Sequence, residues 1–299
     1  MLMRNKRFGF LPLAVLVAMV CLSLAACQSQ ATTTGSAPVS GAGLSVTPFA
    51  SIKLNVTPGE KTTQQLALSL GKQGQTMAIA VDVEGLGTSL NGSPQGIAAA
   101  QDTGPYSART FITVNKSSFQ LKPGKSQNII ATIAVPANVG AGARFAIIYI
   151  HQQAPAGGKG AQSVSSFNIP VLLTIQGSTL TQTGKITGLS TSAITNGQPI
   201  QILTDFQNTG NMYFKVEGEV TISDAQGQTL GTLSIPLTAN STLPAAAREI
   251  VTNFTPTSAL AVGTYTIDAK ITLQDGTLLD ESTGTFAITT AYVPPAATP

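Results

Sequence analysis

Few residues in this chain could do chemistry. There is one histidine, His151, and there are two cysteines, Cys21 and Cys27, both near the start. A nucleophilic triad needs a base, an orienting group and an activated nucleophile within hydrogen-bond reach. A zinc site needs several His or Cys ligands. His151 has no second histidine to join it and ends the most apolar segment of the chain, so it reads as a strand-end histidine. Asp268, Asp275, Asp280 and Glu281 cluster in sequence and could hold calcium, but the Asp-x-Asp-x-Asp-Gly spacing is absent. The plainer reading is solvated turn acids. Gly157-Gly158-Lys159-Gly160 fails as a phosphate loop, because its spacing is wrong and no Ser or Thr follows the lysine. A nucleic-acid surface would need a basic stripe with interleaved aromatics. With no Trp, the best stacking platform for sugars is missing too. The chemistry therefore points away from catalysis, cofactor and metal.

Cys27 is different. Arg4, Lys6 and Arg7 open the chain, a mostly apolar run fills 8–24, and Leu24-Ala25-Ala26-Cys27 ends it. That run is short for a bilayer span of about 20 residues. It also carries Pro12 and Ser23, and small residues at its end fit a cleavage site. The pattern resembles the lipobox of bacterial lipoproteins. The resemblance implies that the Cys27 thiol receives a diacylglycerol group and that 1–26 is removed as a signal peptide. Two or three acyl chains give stable anchoring, at about 0.8 kcal/mol per buried CH2. The alternatives are an ordinary secretory signal with a chance cysteine, or an uncleaved anchor. The expected location is the bacterial cell envelope, lipid-anchored and facing outward.

Once 1–26 is removed, positive and negative side chains balance, but unevenly along the chain. Residues 28–177 hold nine Lys or Arg against four acids, or +5, and residues 178–299 hold four against nine, or −5. The first half suits anionic wall polymer or lipid head groups, unless both halves are simply solvated surfaces. With Cys21 cleaved away and Cys27 lipidated, no thiol is left for a disulfide. A chain of about 270 residues can rely on its core instead.

Low charge and aromatic content, abundant Gly, Thr and β-branched residues, and no sustained helical period predict an all-β protein. Residues 27–43 comprise the lipidated cysteine and a flexible tether of Ser, Thr, Gly and Gln. Over 44–177 the alternation in Ile52-Lys53-Leu54-Asn55-Val56 and in Leu66-Ala67-Leu68-Ser69-Leu70 predicts strands with one face buried. Thr57-Pro58-Gly59-Glu60 fits a type II turn, and the phrase returns at Lys122-Pro123-Gly124-Lys125. Both are read as hairpin-like edges. Strands are also expected over 76–83, 109–114, 144–151 and 164–175, with surface loops over 85–105 and 154–162. Over 178–290 about seven short strands separated by turns predict a second immunoglobulin-like sandwich. Asp224-Ala225-Gln226-Gly227 is read as a hairpin turn. Residues 291–299 read as a disordered tail.

The order of features resembles the WxL-interacting proteins of bacterial surfaces. In 44–177 the resemblance rests on Val46-Thr47-Pro48, Pro58-Gly59, Phe119-Gln120-Leu121-Lys122-Pro123-Gly124, Val135-Pro136 and Gly140-Ala141-Gly142-Ala143-Arg144-Phe145. In 178–290 it rests on Phe206-Gln207-Asn208-Thr209-Gly210-Asn211, Gly218-Glu219-Val220-Thr221-Ile222, Leu243-Pro244 and Gly263-Thr264-Tyr265. The resemblance implies a first domain that binds peptidoglycan and a second that binds a host or partner protein. The chain departs from that family in having a lipobox and no C-terminal membrane helix with a basic tail.

The expectation is thus a non-enzymatic surface lipoprotein, without cofactor or metal, that binds wall polymer or envelope proteins and no nucleic acid. An alternative is a chaperone-like assembly factor that lends a strand edge to a secreted partner. A solute-binding or hydrolytic lipoprotein would need a deep cleft with convergent polar groups.

Overall fold

The computed structural model describes residues 40–292, leaving aside 42, 49–50, 74, 154–164 and 178. The chain opens with β1 (Ser40–Gly41), β2 (Leu44–Thr47), β3 (Ile52–Val56) and β4 (Lys61–Leu70). It continues through β5 (Met77–Thr88), β6 (Pro94–Ile97), one 3-10 turn (Arg109–Phe111) and β7 (Ile112–Val114). Strands β8 (Ser118–Leu121), β9 (Ser126–Ala134), β10 (Gly142–Gln152) and β11 (Ser166–Ile175) complete a first sandwich. One of its sheets runs β1-β2-β4-β9-β7, and the other runs β3-β11-β10-β5-β6 with β8 also on β5.

Alternation builds this core. Leu66 and Leu68 of β4 and Ile129 and Ile133 of β9 face Leu54, Ile79, Ile148 and Leu173 from the other sheet, all buried. The opening segment is shared between sheets: β2 pairs antiparallel with β4, and β3 pairs parallel with β11.

The second sandwich comprises β12 (Gly184–Thr191), β13 (Ile200–Asn208), β14 (Val216–Ser223), β15 (Thr229–Ile235), β16 (Ala247–Phe254), β17 (Gly263–Leu273) and β18 (Leu278–Ile288). Its sheets are β12-β13-β16 and β15-β14-β17-β18. Phe206, Val216, Ile222, Ile267 and Phe286 fill its centre. The Tyr265 hydroxyl donates to the carbonyl of Ala261 at 2.8 Å, the corner contact that pins a loop to the following strand in immunoglobulin-like folds. The protein is therefore all-β, with two tandem immunoglobulin-like sandwiches.

Three expectations need correction. The two Pro-Gly turns do form, with Glu60 N–H donating to Thr57 O and Lys125 N–H to Lys122 O, both at 3.1 Å. Gly59 (φ +83°) and Gly124 (φ +67°) take the left-handed position that such turns demand. Neither turn closes a hairpin, however. β3 and β8 lie in one sheet, and β4 and β9 lie in the other, paired to each other. Each turn is a corner between layers, and local turn chemistry is the same for both uses.

The stretch 85–105 is not one loop. β5 runs on to Thr88 and returns as β6, from Gly85 opposite Ile97 to Thr88 opposite Pro94. Glycine broke the strand pattern here because a Cβ on Gly85 would collide with the Asp102 carboxyl group. Finally, 109–111 is a 3-10 turn, so that strand begins only at Ile112. The other expected loop, 154–162, lies outside the described residues, as do Cys27, the tether up to residue 39 and the tail from 293.

Asn208 shows how a turn is held from inside. It is fully buried, its Nδ2 donates to Met212 O (2.8 Å) and Thr242 O (2.9 Å), and its Oδ1 accepts from Gly210 N–H (2.9 Å). Asn208→Ala strands buried partners at about 1–3 kcal/mol each. We expect a loss of about 2–4 kcal/mol in urea unfolding, and an unchanged midpoint would contradict this account.

Candidate functional site

The most apolar strand, β10, is buried on both faces. Its inward side joins the first core, while Ala143, Phe145 and Ile147 look outward with Leu172 of β11 and Leu86 of β5. Leu243 of the second sandwich closes over them, flanked by Tyr106, Tyr149, Tyr213 and Ala246. Tyr106 stacks on Phe145 at 6.2 Å between centroids, and the Arg144 guanidinium lies 5.8 Å over Tyr106. Two backbone bonds cross the joint, Ala143 N–H to Asn211 O at 2.6 Å and Glu249 N–H to Leu90 O at 2.8 Å.

The hairpin β5–β6 reaches onto the second sandwich at a buried cation. Arg248 is 4% exposed and donates from Nη1 to Asn240 O at 3.1 Å. Burial pushes its guanidinium below its ordinary value. Gly92 (φ +79°) lies against this guanidinium, and a side chain there would overlap it.

Two openings flank the joint. The smaller, about 150 Å³, is lined by Lys53, Pro170 and Leu172 on one side and by Lys215, Asn240 and Leu243 on the other. The larger, about 420 Å³, holds Leu90, Ile97, Tyr106, Phe145 and Pro244. Lys53 and Lys215 form no ion pair; among the described residues the pairs are Arg109–Asp102 and His151–Asp82.

The smaller opening borders a sheet edge. β3 pairs with β11 alone among the described residues. Val56 O accepts from Gln176 N–H at 2.8 Å, which points the backbone of Val56 toward β11. Along a strand the backbone groups of successive residues alternate sides, so Lys53 and Asn55 present theirs to the open side. Ile52, Leu54 and Val56 are meanwhile held in the core. The edge is short, firmly seated and without a second partner strand among the described residues.

The residues singled out in the sequence scatter. His151 Nε2 lies 2.9 Å from Asp82 Oδ2 and its ring stacks on Tyr149 at 4.5 Å, a surface pairing at a strand end. The clustered acids part company. Asp268 accepts from the Thr283 hydroxyl at 2.6 Å, and Asp280 accepts from Ile186 N–H at 2.7 Å. Asp275 accepts from Thr277 N–H at 3.0 Å, a bond that holds its carboxyl group below its ordinary value. No group of three or more His, Cys, Asp or Glu that could hold a metal occurs among the described residues. Nor is any described helix long and apolar enough to cross a membrane. Lys215 and Arg248 were not singled out, and Leu243 was named only as part of Leu243-Pro244 before a strand. Arg248 alone left a trace, a charge in the inward phase of an alternating strand.

No protein-family model and no curated protein matches the sequence. Among solved structures the chain is similar to one described as a chaperone-tip adhesin complex of CFA/I fimbriae biogenesis. That match has 12% identity, covers 79% of this chain and 97% of the other, and has a TM-score of 0.41. It is similar also to the class 5 fimbriae chaperone CfaA (11% identity, 84% and 100% covered, TM-score 0.38). A third is the E. coli chaperone DraB (12%, 81% and 96%, TM-score 0.35).

Leu243→Asp tests the joint. A carboxylate there would lie against Phe145, Ile147 and Leu172, and burying an unpaired charge is strongly unfavourable. We expect the sandwiches to part while each stays folded. Amide exchange should rise at Ala143 and Glu249 by at least about tenfold, as a lost bond of 1.4 kcal/mol implies. Unchanged protection at both amides would contradict this joint.

Proposed function

We propose that this chain is a non-enzymatic module of the bacterial envelope that binds proteins through the open edge of β3 beside the cationic cleft. The observation that carries this reading is the edge itself, a core-anchored strand whose Lys53 and Asn55 backbones face outward next to Lys215 and Leu172. An extended segment of a partner adds there as a further strand. Main-chain bonds supply affinity and the cleft supplies selectivity. The two lysines favour an acidic side chain or a terminal carboxylate on the incoming strand. Such a module serves as an assembly factor that shields an exposed strand of a secreted or surface protein. It fits protein better than wall polymer, because the cleft offers backbone groups and apolar contacts rather than a sugar-stacking platform. Lipid on Cys27 holds it at the outer face of the membrane.

A photo-crosslinker at position 55, tested in the cell, should capture one or a few secreted or surface proteins. The same group at Thr283, on an exposed face of β18 in the second sandwich, should not capture them. Asn55→Pro removes the outward N–H at an edge position that tolerates proline. It should abolish crosslinking from a probe at position 53 with little change in stability. Equal capture from both faces, or retention by isolated walls alone, would overturn the strand-edge reading.

The anchor is tested separately. Cys27→Ser should move the protein from the membrane to the soluble fraction and end incorporation of labelled palmitate. A variant that stays with the membrane would overturn lipidation at Cys27.

A further inference from the structure

The positive charge of the first sandwich is not spread evenly over it. Lys72 follows β4, Lys122 and Lys125 flank the β8–β9 corner, and Lys116 precedes β8. The backbone brings these turns together: Gly124 N–H donates to Leu70 O at 2.9 Å and Leu70 N–H to Lys125 O at 3.0 Å. Lys116 Nζ reaches Gln127 Oε1, near the start of β9, at 3.0 Å. All four lysines are exposed, and none forms an ion pair among the described residues.

Acids are absent from this end. Glu60 precedes β4 at the opposite end, about 30 Å away along a ten-residue strand. Asp82 is about 17 Å along β5 from Met77 and lies beside His151. Glu84 lies further along the same strand, and Asp102 pairs with Arg109.

The N-terminal chain arrives at this same end. Gly43 O accepts from Gly71 N–H at 2.8 Å, next to Lys72, and β1 pairs with β2 one step further in. Between Cys27 and Ser40 the chain can reach no further than about 45 Å even fully extended. A lipid on Cys27 would therefore keep the lysine-rich end within reach of the bilayer surface.

We infer that Lys72, Lys116, Lys122 and Lys125 form a surface that seats the first sandwich on anionic lipid head groups. The seating orients the molecule as well as holding it. With this end down, the opposite end of the first sandwich points away from the membrane. The attraction is electrostatic and acts within a Debye length, about 8 Å at physiological salt. Each lysine contributes about fivefold in partitioning to an anionic surface. The inference rests on Cys27 as the anchor, but it is independent of what the strand edge binds.

The test uses unlipidated residues 28–299, which keep both sandwiches whole, so the acyl chains do not mask the protein's own affinity. Co-sedimentation is measured with vesicles of phosphatidylcholine containing roughly a quarter phosphatidylglycerol, with pure phosphatidylcholine vesicles, and with purified anionic wall polymer. We expect binding to the anionic vesicles alone among the two, fading as salt shortens the Debye length. Lys72→Gln/Lys122→Gln/Lys125→Gln should weaken it roughly 100-fold. Replacing the same lysines by Arg should preserve it. Lys61→Gln/Lys185→Gln/Lys270→Gln, with the same net charge change elsewhere, should cost less than about fivefold. Equal losses in the two glutamine variants, no binding to the anionic vesicles, or binding to the polymer but not to vesicles would each overturn the inference. Because this assay involves neither Cys27 nor β3, its failure is distinguishable from failure of the palmitate or crosslinking tests.

Discussion

The constraint on which the rest of this structure depends is that the middle of one sheet of the first sandwich, at β10, is apolar on both faces. A sheet with one solvated face alternates, as β9 and β17 do. β10 does not: Ala143, Phe145 and Ile147 are as thoroughly covered as Ala146, Ile148 and Ile150 on the side of the core. Leaving that outer face in water would cost roughly 25 cal/mol for each Å² of apolar surface. The second sandwich is the cover, and Leu243 is the residue that seals it. The two sandwiches are therefore linked by burial as well as by the chain.

That arrangement locates the cleft. Covering the middle of the sheet brings Lys215 and Asn240 opposite Lys53, at the margin where β3 forms the sheet's edge. It also brings the β5–β6 hairpin over Arg248, whose guanidinium is buried without a carboxylate partner and is met instead by backbone. Edge strands are a liability that proteins normally blunt. Here the edge is brief and carries a lysine, which discourages self-association, yet its backbone is presented beside a recess. A binding role and protection against aggregation are compatible in so short a strand.

Several elements were legible because local chemistry decides them. Tyr265 and the strands around it follow plain alternation, in β17 and again in β18. The turn at 224–227 forms as expected: Gly227 N–H bonds to Asp224 O, and the Asp224 carboxylate accepts from Gln226 and Gln228. The two Pro-Gly turns were legible as turns and misleading as hairpins. A turn is fixed by four residues, whereas the sheet that receives the next strand is chosen by partners far away in sequence. Lys215 shows the same limit at the site. Nothing adjacent to it in the chain marks it out, because its neighbour Lys53 arrives from another domain.

Alone, the sequence determined what depends on residue type and short spacing. The chain had to be all-β, since no segment has a helical period and its alternating segments bury one face in two. It offers a single histidine and two cysteines, both near the start, so few side chains of the kinds that make up a metal site. It also carries a cysteine in a lipobox-like setting and a charge that changes sign between its halves. The tertiary structure decided the rest: which strand is left at an edge, which lysines converge on the cleft or gather at one end, and which apolar face is covered by the second sandwich. Those are properties of pairing between distant segments. They follow from the burial of surface that becomes contiguous only once the sheets have formed, and no window of sequence contains that surface.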